Sequence, residues 1–440
     1  MAQTEETKME KIISLAKRRG FVYQGSEIYG GLAGTWDYGP YGVAVRNNIK
    51  NLWWKRFVTD REDMYGIDAA ILMNQNVWKA SGHVGGFSDP LVECKKCKKR
   101  FRADHLEDKK KCPECGGELG EEKQFNMMFK THVGAMQDDS SISYLRPETA
   151  QGMFVNFKNI RDSFAVKLPF GLAQIGKAFR NEIAPRDFIF RLRELEQMEI
   201  EYFVDPRDPK KVDAIFDTWF DEQIAFLKEL GLTESKIHKI DVPASDRAHY
   251  SRRSVDTEFD FPFGQKELLG LAYRTDFDLK AHSEASKVDL SYFDEETKER
   301  IVPHCIEPTF GVDRLLLAVL SDAYTEDEIE GEKRVFLKFS PKVAPVKVAV
   351  FPLLKNKPQL VEKAREVYSM LKKELGNVMF DDNGNIGKRY RRQDEIGTPY
   401  CVTVDFDTIE KEAAEVTVRN RDTGKQERVA IKDLKQFLAF

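Results

Sequence analysis

The chain has 440 residues, 41% hydrophobic and 32% charged, with a formal net charge of −4. Such a length predicts two to four domains, each with its own core, and without an apolar run of roughly 18 residues a membrane span is excluded. The charge excludes a protein that coats nucleic acid over its whole surface. The polar, lysine-bearing Met1–Arg19 lacks a signal-peptide core, and six cysteines are too few for a disulfide scaffold, so a cytoplasmic location is expected.

In chain order, Glu5 to Gly20 reads as a helix, followed by the glycine-rich segment from Gly30 to Pro40. Val43 to Phe57 reads as a second helix with Trp53 and Trp54 on its apolar side, and Met64 to Met73 as a strand. Cys94 and Cys97 form one CxxC pair and Cys112 and Cys115 a second, the spacing of a zinc ribbon in a polar segment that needs a staple to fold. Cys305 and Cys401 lie in apolar runs and read as core.

Tyr144 to Gly152 contains Arg146-Pro147-Glu148-Thr149-Ala150-Gln151-Gly152, and an apolar run leads from Lys167 to Phe179. Two strand-like runs flank Ile183 to Phe190. Alternation along a strand puts Arg180 and Glu182 on one face and Arg191, Leu195 and Glu199 together on the return. Two guanidiniums and two carboxylates on one side suit a phosphorylated, amine-bearing ligand. Asp205 to Asp241 is amphipathic and helical, predicting a helical insertion over 205–260. Glu267 and Arg274 are seven apart and would face opposite sides of a regular strand, so a bulge at Gly270 or an early strand end is required for both to reach one site. His304 to Gly311 reads as a strand and Leu315 to Leu320 as a buried helix, leaving Arg314 in the first helical turn, where free amides and the helix dipole favour an anion.

After Pro341 the pattern changes. Val346–Phe351, Asn377–Asp381 and Tyr400–Asp405 read as strands and Pro358–Leu375 as a helix, an α/β module. From 341 to 440 there are 19 Lys and Arg against 15 Asp and Glu, leaving 50 against 58 in the rest, so the basic end suits one localised polyanion contact.

The hairpin resembles motif 2, and the segment ending in Arg314 motif 3, of class II aminoacyl-tRNA synthetases. Together with Gly30–Pro40 and Arg146–Gly152, they make nearly the whole chain similar to the glycyl-tRNA synthetases of homodimeric α2 type. The resemblance implies an α+β fold: an antiparallel catalytic sheet flanked by helices over 1–340, a zinc-ribbon insertion at 88–125, and an anticodon-binding domain at 341–440. It implies a glycine–tRNA ligase using ATP with Mg²⁺, a structural Zn²⁺ on the four cysteines, and a homodimer built on the Val43–Phe57 helix and the strand after it. Arg180 and Arg314 become the catalytic residues. ATP is assigned to Arg180, Asn181, Glu182, Phe190, Arg191, Leu192, Arg193, Glu194, Leu195, Glu267, Leu268, Gly311, Val312, Asp313 and Arg314. Glycine is assigned to Arg102, Glu148, Leu195, Glu196, Gln197, Met198, Glu199, Arg274, Glu307, Pro308, Thr309, Phe310 and Gly311, Mg²⁺ to Glu267 and Glu307, and tRNA(Gly) to Lys388, Arg389, Tyr390, Arg391 and Arg392. Two departures stand out: Thr309 replaces a frequent Ser, and Leu195 replaces the usual adenine-stacking Phe, for which Phe190 is the expected substitute. A prolyl- or threonyl-type synthetase, or a non-catalytic synthetase-like nucleic-acid-binding protein, remain the alternatives.

Overall fold

The computed structural model describes residues 6–438 apart from 249, 330, 412 and 413. Helix α1 (Lys8–Arg18) starts at a Thr7–Glu10 capping box; Glu5, the expected first helical residue, lies outside the described residues. Helix α2 (Pro40–Trp54) starts with proline in its first turn and buries Val45, Ile49 and Trp53.

The expected strand from Met64 to Met73 is shorter, only Met64–Gly66 (β1). Beyond it, after one more backbone bond from Ile67 N–H to Ala173 O (2.9 Å), a side chain helps fasten the segment: the buried Arg146 donates Nη1 to Ala69 O (2.7 Å) and Nε to Lys177 O (2.6 Å). Gly176 makes room for that guanidinium, since a Cβ there would come within 2.2 Å of Arg146 Nη2. A short helix, α3 (Gln75–Ala80), follows with Asn74 as its cap.

Helix α4 (Ala150–Phe164), β2 (Phe170–Phe179), β3 (Glu194–Val204) and α5 (Pro209–Glu229) come next, then β4 (Ile237–Asp241), β5 (Arg253–Phe261), β6 (Gly264–Thr275), α6 (Phe277–Ser286), β7 (His304–Gly311) and α7 (Val312–Ala323). The seven strands form one sheet in the order β4-β5-β6-β7-β3-β2-β1, antiparallel except for the β1–β2 pair. This corrects the expected helical insertion at 205–260. Its described residues hold one α-helix, a single 3-10 turn and two strands of the central sheet, and α5 buries Phe216, Trp219, Phe226 and Leu227 in the same core as Phe57 and Phe310. The alternating burial of Arg253–Phe261 is the strand signature that the helical reading overran.

A hairpin, β8 (Tyr324–Ile329) and β9 (Glu332–Leu337), leads to the last module: β10 (Val348–Pro352), α8 (Pro358–Leu375), β11 (Val378–Phe380), α9 (Ile386–Ile396), β12 (Tyr400–Val404), β13 (Glu415–Asn420) and β14 (Gln426–Ala430). Its sheet runs β11-β10-β12-β13-β14, with β10, β11 and β12 parallel around a core of Val348, Val350, Leu360, Val402 and Val418. No helix among the described residues is long and apolar enough to cross a membrane.

Candidate active site and cysteine cluster

A cavity of about 400 Å³ opens on one face of the central sheet. Eighteen of the expected residues line it, and they sort by charge. At one end are Arg191 and Arg314, with Arg102, which was expected at the glycine and instead stands beside Arg191, paired with Asp89 and Asp104 at 2.7 Å each. Arg314 sits in the first turn of α7, places Nη1 3.2 Å from Glu267 Oε2 and lays its guanidinium 4.4 Å from the centre of the Phe190 ring. Arg191 lies 3.7 Å from Glu182 Oε2. Burial, and then the neighbouring Arg102, Arg186 and Arg314, push the Arg191 guanidinium below its ordinary value, more than Glu182 restores. Such crowding of cations favours a multivalent anion.

At the other end are Glu148, Glu199 and Glu307. Burial pushes Glu307 up to about 8, with Glu199 and Glu148 adding to it against the pull of Arg274. Burial and then Glu148 likewise raise Glu199, which accepts from Thr149 N (2.9 Å), the Thr149 hydroxyl and Gln197 Nε2 (2.7 Å). Glu148 is held below the ordinary range because His83, Arg274 and Gln151 outweigh its burial. Several carboxyls around one buried guanidinium leave this end short of positive charge. It is built for a cation.

Arg180 stands between the ends. Its N–H reaches Arg193 O (2.9 Å), its Nε donates to Pro147 O (3.0 Å), and its charge acts on Glu199. It does not lie on a strand as expected: β2 ends at Phe179 and β3 begins at Glu194, so Arg180, Glu182 and Arg191 belong to the connecting loop.

Glu267 and Arg274 reach one side of β6 through a bulge, at Leu268 rather than Gly270, because Thr257 pairs with Leu269 while Glu258 pairs with Glu267. Arg274 does not line the cavity. It lies behind Glu307, donating Nη1 to Glu307 Oε1 (2.8 Å) and holding Asp278 with two bonds of 2.8 and 2.9 Å.

Seven further expectations fail for local reasons. Met198, Pro308 and Phe310 are on the opposite faces of β3 and β7, where Met198 pairs with Phe310 inside the core. Val312 is core at the start of α7. Arg193 is spent on Ala33 O and Glu182 O, Glu194 on Lys177 at the sheet margin, and Asn181 binds Met127 O through its backbone. Glu196 and Asp313 touch the cavity, but their carboxylates turn to Arg46 at 2.6 and 3.0 Å, fixing α2 against the start of α7. Phe190 presents its ring face to Arg314 and packs its edges on Phe261 and Phe263, so it is no free stacking platform. Glu307, expected to ligate Mg²⁺, is buried at the acidic end. Residues the sequence reading passed over include Tyr250, which lines the cavity with its ring 4.0 Å from the Arg274 guanidinium, and His83, whose Nε2 is 3.4 Å from Glu148 Oε2. Neither carries a local signal, since each reaches the site from a distant segment.

Away from the cavity, the ligand atoms of Cys94, Cys97, Cys112 and Cys115 lie within 4.8 Å of one another. Each knuckle closes on a left-handed residue, Lys98 or Gly116, and Cys97 N–H to Cys94 Sγ (3.4 Å) leads the effects that pull the Cys94 thiol down to about 6. Four converging thiols suit a tetrahedral soft-ligand metal. Cys305 and Cys401 are buried, as expected of core residues.

Two of the expected RNA contacts on α9, Arg389 and Tyr390, need correction. Arg389 is buried, bonded to Asp382 O (3.0 Å) and Gly384 O (2.7 Å), and Tyr390 packs on Phe351 with its hydroxyl on Thr403. Arg391 and Arg392 pair with Glu332 and Asp381, while Lys388 is exposed. Side chains three and four apart on a helix share a face, so Lys388, Arg391 and Arg392 lie together on the outer side while Arg389 and Tyr390 turn inward.

An antiparallel sheet with an arginine in the first turn of the following helix, joined to a small α/β module, is the build of a class II tRNA synthetase. Residues 129–323 match the model for the tRNA synthetase class II core domain (G, H, P, S and T), and residues 347–439 that for the anticodon binding domain. Glycine–tRNA ligases similar to this chain include those of Clostridium acetobutylicum, 51% identical over 99% of this chain and 98% of the relative, and Caldanaerobacter subterraneus subsp. tengcongensis, 50% identical over 98% and 97%. That of Thermobifida fusca is 49% identical over 98% and 97%. The chain belongs to the glycine–tRNA ligase family of class II synthetases.

Proposed function

We propose that the chain joins glycine to ATP as glycyl-adenylate and passes the glycyl group to the 3′ end of tRNA(Gly). The observation that carries this reading is the two-ended cavity, with guanidiniums for a triphosphate, carboxyls for an ammonium, and Arg180 between them. In the first step a glycine carboxylate oxygen bonds to the α-phosphorus as the bond to the bridging oxygen breaks, releasing pyrophosphate. The nucleophile is already ionised, so no general base is required. Orientation and charge neutralisation remain, and Arg180 supplies the second. Arg191 and Arg314 hold the outer phosphates. In the second step a ribose hydroxyl of the terminal adenosine attacks the mixed anhydride, and AMP leaves.

Selectivity comes from the wall. Thr309 lies on β7 two residues from Glu307, on the same face, so its methyl narrows the space beside the ammonium site. Leu195 offers an aliphatic contact, weaker than an aromatic ring, to the base. Magnesium, expected with ATP, would meet Glu267 as the acid at the cationic end of the cavity, beside Asp256, whose carboxyl burial and then Glu267 and Glu258 push up to about 6. Zinc fits the four cysteines and would staple the ribbon. A homodimer and a cytoplasmic location belong to the same reading. Charging of unfractionated tRNA with labelled glycine tests it: label retained on tRNA(Gly) supports the proposal, and no ATP-dependent label on any tRNA contradicts it.

A further inference from the structure

Gln151 sits fully buried in the first turn of α4, three residues beyond Glu148. Its Nε2 donates to Glu148 Oε1 (3.0 Å) and to Asp278 Oδ1 (2.9 Å). Its Oε1 lies 2.7 Å from His282 Nε2. An amide oxygen only accepts, so the imidazole proton is on Nε2, and this bond turns the NH₂ group toward the two acids. Asp278 holds Arg274, and Arg274 holds Glu307. An unbroken run of hydrogen bonds therefore joins Glu148, Gln151, Asp278, Arg274 and Glu307 across four elements of the fold, α4, α6, β6 and β7.

We propose that Gln151 is a positioning residue for amino-acid selection: its amide ties the two ammonium-facing acids Glu148 and Glu307 into one rigid unit whose orientation His282 fixes. Without the amide, the Glu148 and Asp278 carboxylates lose the donor that bridges them, and Glu148 keeps only His83, 3.4 Å from its Oε2, to set its angle to the cavity. Two fixed acids hold an ammonium at one point, which sets the α-carbon against Thr309. Among the described residues, Arg102, Arg191 and Arg314 at the ATP end make no hydrogen bond to this network. The loss on breaking it falls on glycine alone. This inference rests on the reading that the acidic end takes the glycine ammonium.

The test is pyrophosphate exchange by the full chain, with KM measured for glycine and for ATP in wild type, Gln151→Met, Glu148→Gln and the double variant. Gln151→Met keeps the length of the side chain and removes its donors. The glycine KM should rise roughly 10- to 100-fold, as for hydrogen bonds to charged groups, with the ATP KM changed less than about twofold. In the Glu148→Gln background the same change should cost far less, because both variants break one unit. An unchanged glycine KM, equal rises in both KM values, or full additivity would overturn the proposal. Should Gln151→Met fail to fold, His282→Leu must reproduce the glycine-specific rise, and an unaltered glycine KM there overturns it equally. Exchange with glycine by wild type secures the reading underneath; its absence would remove that reading and this inference together.

Discussion

Arg274 and Glu307 are neighbours on adjacent strands, Nη1 to Oε1 at 2.8 Å, yet only Glu307 reaches the cavity. The guanidinium is shared with Asp278, so it holds the carboxyl in place without cancelling the negative charge of the acidic end. Arg274→Lys should therefore raise the glycine KM, because an ammonium cannot span both acids as a planar fork does. Steady-state exchange kinetics at saturating ATP measure this.

Arg180→Ala should lower kcat for pyrophosphate exchange about 100- to 1000-fold, the range for removing one pre-organised charge partner of a transition state. Arg314→Ala should act more on the ATP KM, since Arg314 is at the far end of the cation cluster. Single-turnover rates separate the two effects.

Glycine affinity should improve with rising pH. Glu307 is raised to about 8 by burial, so near pH 7 it binds a proton that glycine must displace. The linkage to stability has the opposite sign. A carboxyl raised from its unfolded value of 4.5 stabilises the fold most below that pH, and the benefit is lost as pH rises toward 8. Calorimetry in buffers of different ionisation enthalpy should show proton release on glycine binding, and Glu307→Gln should reduce it.

Purified protein should contain one zinc. Chelation, or Cys112→Ser, should expose residues 88–126 to amide exchange before the central sheet, because that small segment has only Val92, Ala103 and Leu119 besides its cysteines as buried apolar residues. Metal analysis followed by exchange mass spectrometry checks both.

Asp394 on α9 is buried against Arg419 (2.8 and 3.0 Å) and against Arg334 of β9 (3.4 Å), while Arg421 donates to Phe339 O (2.8 Å). Gly397, at φ +80°, ends α9 where a Cβ would come within 2.4 Å of Phe339. The inner side of the helix expected to read RNA is thus a joint between the last module and the body. Asp394→Ala leaves two buried guanidiniums short of their partner and should cost about 3–5 kcal/mol in denaturant unfolding.

The motifs around Arg180, Glu307 and Arg314 were legible because each is a short run of unusual residues, and α8 because Pro358–Leu375 carries both its start signal and its period. The alternation that puts Met198, Pro308 and Phe310 in the core was legible too, but a contiguous motif was read as one surface. The bulge at Leu268, the reach of Arg146 to Ala69, the bonds of Gln151 to Asp278 and His282, and the arrival of His83 and Tyr250 depend on contacts between distant segments, which no local pattern encodes. Arg389 misled because a basic run reads as solvated until the helix that carries it is packed.

Pyrophosphate exchange with glycine, alanine, serine, proline and threonine, each alone at saturating ATP, tests the central claim most directly. One missing methylene in a pocket is worth only about 1–3 kcal/mol, but an added methyl must overlap the wall at Thr309, which costs more. The account predicts turnover with glycine and exchange with the other four at background. Comparable turnover with proline or threonine would contradict it, and silence with all five would favour a non-catalytic protein.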